Sequence, residues 1–541
     1  MSTTDRFDRL PALPDSVRER QSLILTLLAG TIAVALLSPM LWVVLQASQV
    51  PIDQILEILL RQETLEIFLN TVALVVTVTA ASVLLGVPMA MLTVQTDLPF
   101  RRFWTVVAAL PLVIPSYIGA FAFVSAFGPR GVLADALAPL GIERIPSIYG
   151  LPGSILVLTL FTYPYVFLTA RASLLSLDGR AVEAARTLNH SRWEAFKRVT
   201  LPQLKPGVAA GALLVALYTL SDFGTPSIMQ FDVFTRMIYV EIDAWRTDFA
   251  SILSLLLVGL TIVILAAESR IERADENSAY VNRGTDRPGT ISLGVWKLPA
   301  LAFMSTVALL ALVVPPAILL FWLSRSGSGF GGGFAFEWVY AWNSVFTSSL
   351  AAGVSVLAAL PLAYLSARGD GRLSALPERS TYVGYAVPGI VLGLGLIYFS
   401  LYYAPFLYYT VAIIVFAYVV RFLPQAVGTI RSSVLQTDPQ LVEAARTLGH
   451  SPTAAFRKVV LPLVMPGIVA GGALVFLTSM KELAATLLLR PPNFETLVTY
   501  IWLVEGTGDY GRAAVPALVL IGVSGLSMLV ILGRERYDVK E

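Results

Sequence analysis

The chain has no cysteine, only two histidines and little charge: of 541 residues, 14% are Asp, Glu, Lys or Arg, where soluble proteins carry about 25%. Without cysteine there is no disulfide, no thiolate zinc site and no thiol nucleophile. Basic and acidic residues number 38 and 36, a net charge of +2. No basic excess is left to neutralise phosphates, which excludes a nucleic-acid surface. No cluster of His, Asp and Glu at one depth suggests an enzyme centre or a resident metal or cofactor. What fills the chain instead is apolar: 56% hydrophobic residues and a mean hydropathy of +0.73. That balance excludes a disordered chain and a soluble multidomain enzyme, and points to a polytopic membrane protein.

A membrane helix needs about 20 apolar residues. Twelve segments meet that need: 22–46, 66–95, 102–127, 151–175, 207–231, 249–267, 298–324, 344–367, 380–402, 406–428, 466–489 and 513–533. Barrel strands would alternate over about ten residues; these runs do not, so the fold is all-α. The first segment is too long for a signal peptide and lacks a small-x-small cleavage site, so it is expected to stay as an anchor. With the N-terminus inside, 29 of the 38 Lys and Arg fall on the cytoplasmic side, eight in outward loops, and Lys481 within a span. This bias places both termini in the cytoplasm.

The two halves repeat. VEAARTLNHSRWEAFKRVTLPQLKPGVAAGALL at 182–214 aligns with VEAARTLGHSPTAAFRKVVLPLVMPGIVAGGAL at 442–474, with 19 of 33 positions identical. Upstream, Asn70, Pro88 and Pro115 match Asn343, Pro361 and Pro388. Six spans per half bring both copies into the membrane in the same sense. The repeat is therefore parallel, about a pseudo-twofold axis along the membrane normal, with a pathway expected between the halves. The division is a tail at 1–21, a first repeat at 22–267, a polar linker at 268–297, a second repeat at 298–533 and a tail at 534–541.

The repeated block reads as a helix–turn–helix. Asp178 and Asp438 can cap a first helix, with Pro439 in its first turn. That helix should end near Leu188 and Leu448, before Asn189 and Gly449, residues that accept the left-handed conformation. Ser191 and Glu194 form a capping box for a second helix, and Ser451-Pro452 serves the second copy. Leu201-Pro202 and Leu461-Pro462 are expected to close that second helix. A loop that only joined spans would be shorter.

This block resembles the motif of the inner-membrane permeases of binding-protein-dependent ABC importers: Glu-Ala-Ala, three residues, Gly, nine residues, an aliphatic, one residue, Leu-Pro. Glu443, Ala444, Ala445, Gly449, Val459, Leu461 and Pro462 fit it, as do Glu183, Ala184, Ala185, Val199, Leu201 and Pro202; Asn189 replaces the glycine in the first copy. The resemblance covers nearly the whole chain, as a fused pair of type I permeases. It implies coupling loops that dock on two cytoplasmic ABC ATPase subunits, and a periplasmic substrate-binding protein that delivers the solute. The chain needs no nucleotide site of its own. Its one GxGxxG match, Gly327, Gly329 and Gly332, lies in an outward loop without a strand or a Lys-Ser/Thr, and reads as a loop.

Substrate signals are weaker. Ser221-Asp222-Phe223 and its counterpart Lys481-Glu482-Leu483 put ionisable residues at membrane depth, where they often line pathways; an outer rim or a local pair is the alternative. KELAATLLLRPPNFETL and DFGTP resemble fused permeases of ferric-iron importers, and thiamine and phosphonate permeases look similar. Ferric iron favours hard oxygen ligands, in keeping with a cysteine-free chain. The tyrosines at 398, 402, 403, 408 and 409 are expected as an aromatic belt, and Gly389, Gly393 and Gly395 as a packing face. From a different class, an ion-gradient-driven secondary transporter also fits a parallel repeat, but leaves the repeated cytoplasmic motif without a purpose.

Overall fold

The computed structural model describes residues 15–128, 131–133, 147–177, 187, 191–276, 290–325, 336–368, 381, 384 and 386–535. Among the described residues the regular structure is helical, apart from one isolated bridge between Thr96 and Ile291. Helices are the natural outcome for long apolar runs, because a helix satisfies every internal backbone group where lipid offers no partner.

The first half contains α1 (Asp15–Ser48), α2 (Ile52–Leu60), α3 (Gln62–Gln95), α4 (Arg101–Ala109), α5 (Ser116–Phe127), α6 (Leu151–Leu175), α7 (Leu201–Ser221), α8 (Gly224–Ile228), α9 (Phe234–Asp243) and α10 (Thr247–Glu276). The second contains α11 (Lys297–Ala308), α12 (Val314–Arg325), α13 (Trp338–Arg368), α14 (Gly389–Tyr402), α15 (Val411–Gln436), α16 (Pro439–Thr447), α17 (Leu461–Met480), α18 (Ala484–Leu489), α19 (Leu497–Thr507) and α20 (Tyr510–Glu535). Among the described residues nine helices are long and apolar enough to cross a membrane. A bent apolar pair, Arg101–Val113 and Ser116–Phe127, meets at 89° with Pro115 at the corner and lies over the third expected segment. Shorter apolar helices, Gly389–Tyr402 and Tyr510–Leu526, lie over the two remaining expected segments.

Two expected spans end early. The segments at 207–231 and 466–489 leave their long helices after Ser221 and Met480, and each resumes as a short helix, α8 or α18. The second helix of the repeated loop also differs from its sequence reading. Leu201-Pro202 and Leu461-Pro462 do not close it: it runs through a wide turn, Phe196–Thr200 or Phe456–Val460, straight into α7 or α17. Leu201 N–H bonds Phe196 C=O, and Leu461 N–H bonds Phe456 C=O, five residues back. Proline has no N–H and its ring collides with the carbonyl four residues earlier. Widening the preceding turn relieves both problems. The same device recurs between α11 and α12, where Leu309–Val313 precedes Pro315.

The chain forms two compact units: Val44–Glu337 with Leu497–Gly525, and Met1–Val43 with Trp338–Thr496 and Leu526–Glu541. In the first, α3, α6 and α7 pack on one another around Leu74, Val78, Leu158, Val166 and Val215. In the second, α13, α15 and α17 repeat that trio. Lipid tails are as apolar as leucine, so such helices associate by close packing. Added Cβ atoms show how close: at Gly211 one would stand 2.7 Å from Val166 Cα, and at Gly471 2.9 Å from Ala426 Cα. In the first unit α11 packs on α4 and α12 on α5. In the second, Trp42 of α1 stacks on Phe399 and Tyr403, with ring centroids 5.2 and 4.4 Å apart.

The end of the polar linker is held in place. Ile291 exchanges backbone hydrogen bonds with Gln95 and Asp97. Asp97 accepts the Leu293 N–H at 2.8 Å and pairs with Lys297 at 2.8 Å. The Lys297 hydrogen bond, with Leu293 second, holds the Asp97 carboxyl below its ordinary range.

Candidate functional site

The repeated loop is built by local rules. In the second copy Asp438 caps α16 by accepting the Gln440 N–H at 2.9 Å, and Pro439 opens the helix. Its end is a Schellman turn: Gly449 sits at φ +87°, its N–H bonds Arg446 C=O, and His450 N–H bonds Ala445 C=O. Only residues that accept a left-handed backbone can occupy that position cheaply. Glu443 and Ala444 face outward while Ala445 is buried, and Leu448 is 82% exposed. The first copy's Glu183, Ala184, Ala185 and Asn189 lie outside the described residues, as do His190 and the glycines 327, 329 and 332. Beyond them the capping box is present: Ser191 N–H donates to Glu194 Oε2 at 2.9 Å, and Glu194 N–H to Ser191 Oγ at 3.2 Å. Leu201 and Pro202 are exposed at the start of α7; Leu461 is half-buried and Pro462 exposed at the start of α17.

The ionisable pathway candidates sit where the long helices break. Asp222 follows α7, and its Oδ2 accepts the Thr225 N–H at 3.1 Å, capping α8. Its Oδ1 accepts from Ser116 Oγ at 3.0 Å; that hydroxyl lies 3.0 Å from Tyr218 OH. Thr235 Oγ1 donates to the Asp222 carbonyl at 2.8 Å. Glu482 does the same work in the second copy: its Oε1 accepts the Ala485 N–H at 3.1 Å, capping α18. Here Gly389 stands at the position matching Ser116, and the space goes to Arg421, which pairs with Glu482 at 2.8 Å. A Cβ at Gly389 would collide with that guanidinium. Lys481, the last of the three candidates, is half-buried just past α17.

Arg421 was missed from sequence. The charge count places it with the cytoplasmic basic residues, yet it lies inside α15 beside a carboxylate 61 positions on. A basic residue within an apolar run was the available signal. Chemically the two copies now differ: one offers a carboxylate, a phenol and a hydroxyl, a hard-oxygen cluster, and the other an ion pair. Among the described residues no three His, Cys, Asp or Glu come together. Of the 398–409 tyrosines, Tyr403 stacks on Trp42, and Tyr408 and Tyr409 lie 3.9 Å apart by ring centroid. Gly393 and Gly395 abut Leu488 and Pro39.

Known proteins share this organisation. The family described as binding-protein-dependent transport system inner membrane component matches twice, at residues 82–274 and 355–534. A Fe(3+)-transport system permease protein of Haemophilus influenzae is 33% identical over 512 residues, covering 94% of this chain and 97% of that protein. A ferric transport system permease protein of Actinobacillus pleuropneumoniae is 24% identical, over 87% of this chain and 71% of its own. A sulfate transport system permease protein of Escherichia coli aligns with 45% of this chain and 85% of itself, at 24% identity. These matches decide between the importer and the ion-gradient transporter. The chain belongs to the binding-protein-dependent transport system inner-membrane family, as a multi-pass ABC importer permease with two copies of the family fold in one polypeptide and ATP hydrolysis left to partner subunits.

Proposed function

We propose that this permease moves ferric iron inward from a periplasmic binding protein, driven by two cytoplasmic ATPase subunits, with both termini in the cytoplasm. The observation that carries the iron reading is similarity to a Fe(3+)-transport permease along almost the full length of both chains. The Ser116–Tyr218–Asp222 oxygen cluster and the absence of cysteine suit a hard trivalent cation better than a soft one. With Arg421 set aside, 28 of the 38 basic residues fall on one side of the expected spans, which supports the orientation. For coupling, the surfaces are the two loops carrying Glu183, Ala184, Ala185, Asn189, Leu201 and Pro202, and Glu443, Ala444, Ala445, Gly449, Leu461 and Pro462. Leu441 and Leu448, 48% and 82% exposed, give the second loop an apolar face for a partner. Asp222, Lys481 and Glu482 belong to the pathway region. Radiolabelled iron uptake in cells with and without the chain tests the substrate, with thiamine uptake alongside. Iron uptake should depend on the chain while thiamine uptake does not; the reverse pattern would overturn the iron reading.

A further inference from the structure

Helices α9 and α19 follow the two broken spans and hold the same place in the two copies. Asn70 Nδ2 donates to the Asp232 carbonyl, and its match Asn343 to the Glu495 carbonyl. Each helix begins two residues after that carbonyl, at Phe234 or Leu497. Tyr239 and Trp502 are therefore equivalent positions, each the sixth residue of its helix. They also touch: the rings meet edge to face at 5.9 Å and 83°. A residue that contacts its own equivalent lies where the twofold axis passes. For a parallel repeat that axis runs along the membrane normal, through the pathway between the copies. A third ring completes the contact. Phe223, next to Asp222 and 2% exposed, lies 5.1 Å from both Tyr239 and Trp502.

We infer that Tyr239 and Trp502, with Phe223 packed against both, form the on-axis closure of the translocation route on the outward side. An apolar constriction stops ions by excluding their water, and three rings in mutual contact leave no room for a hydrated cation. The closure adjoins the Ser116–Tyr218–Asp222 oxygens, so a solute released by opening would meet hard donors next. Phe223 comes from one copy alone, since its counterpart is Leu483. Opening thus requires α9 and α19 to part, and frees Phe223 at the tip of a broken helix. The outward placement rests on the orientation proposed above.

The natural absence of cysteine makes the test direct. Tyr239→Cys and Trp502→Cys are introduced together in the assembled importer, with a protease site in the linker at 277–289. Because the rings and not the backbones meet, a short reducible bis-methanethiosulfonate linker is used to join the two cysteines, and it then holds the two cleaved halves together until it is reduced. The cross-link should form in the resting complex, block binding-protein-dependent uptake, and release that block on reduction. Trapping the ATPases with nucleotide and vanadate before the linker is added should suppress it. Equal cross-linking in both states with uptake intact would make the contact mere packing, and no cross-link at rest would overturn the geometry. If the double variant fails to assemble, Tyr239→Cys alone serves: a membrane-impermeant maleimide should label it after trapping and not at rest, and equal labelling would count against closure. ATPase co-purification, read on the same samples, separates a failed closure from a failed coupling reading. Loss of bound ATPase indicts the coupling, while formation or absence of the cross-link at rest, which needs no ATPase, still judges the closure.

Discussion

Asp222 and Glu482 are equivalent carboxylates that each cap a short helix after a broken one, yet their surroundings differ at matched positions: Ser116 against Gly389, Tyr218 against Thr478 and Phe161 against Arg421. Ser116 supplies a hydroxyl to Asp222; Gly389 leaves a gap that Arg421 fills. Removing one partner of a buried pair costs about 3–5 kcal/mol, because the other charge is stranded. Arg421→Leu should therefore lower the thermal unfolding temperature of the detergent-purified protein sharply. Adding Glu482→Gln, which keeps an acceptor for Ala485, should recover most of that loss. Asp97 offers a pH-dependent case. Its folded pKa lies below the ordinary 3.8, chiefly through Lys297. Its contribution is therefore complete above 3.8 and disappears as pH falls through the lower folded value. The stability difference between wild type and Asp97→Asn should be constant near neutrality and vanish in acid, as thermal unfolding across pH will read. Asp222, Lys481 and Glu482 were legible as charges in apolar runs. Arg421 was not legible as their partner, because nothing local links residues 61 positions apart.

Among the elements, α16 is the one whose ends are written most plainly in sequence. Asp438, Pro439 and Gly449 each act through groups within four residues, so spacing alone foretells them. Gly449→Ala puts a Cβ on a left-handed residue, which costs about 1–2 kcal/mol. Gly449→Asn should be tolerated, since asparagine visits that region and Asn189 holds the matching position. The measurement is ATPase retained on co-purification: reduced for alanine, near wild type for asparagine. The wide turns before Pro202 and Pro462 show the opposite case. Proline reads as a helix stop, but one widened turn absorbs both its missing N–H and its ring, so the helix bulges and continues.

For the whole molecule, the two compact units draw helices from both ends of the chain: α1 up to Val43 packs with the second half, and α19 with much of α20 joins the first. One polypeptide thereby supplies both copies of the repeated loop. Reversing one loop's charge should weaken ATPase association, and Glu183→Lys combined with Glu443→Lys should abolish most of it while insertion is retained. Size exclusion of the complex reads this; unchanged complex yield would remove the coupling role.

Composition, the apolar runs and the internal repeat determined that the chain is a helical, twice-repeated membrane protein. Those properties follow from the bilayer's demand for internal backbone pairing and from i to i+4 contacts that any window of sequence contains. Only the tertiary structure decided where the spans broke at Ser221 and Met480, that Arg421 answers Glu482, and that Tyr239 meets Trp502. Each of these depends on what a distant segment places alongside, and packing between helices in lipid follows shape rather than hydrophobic pattern.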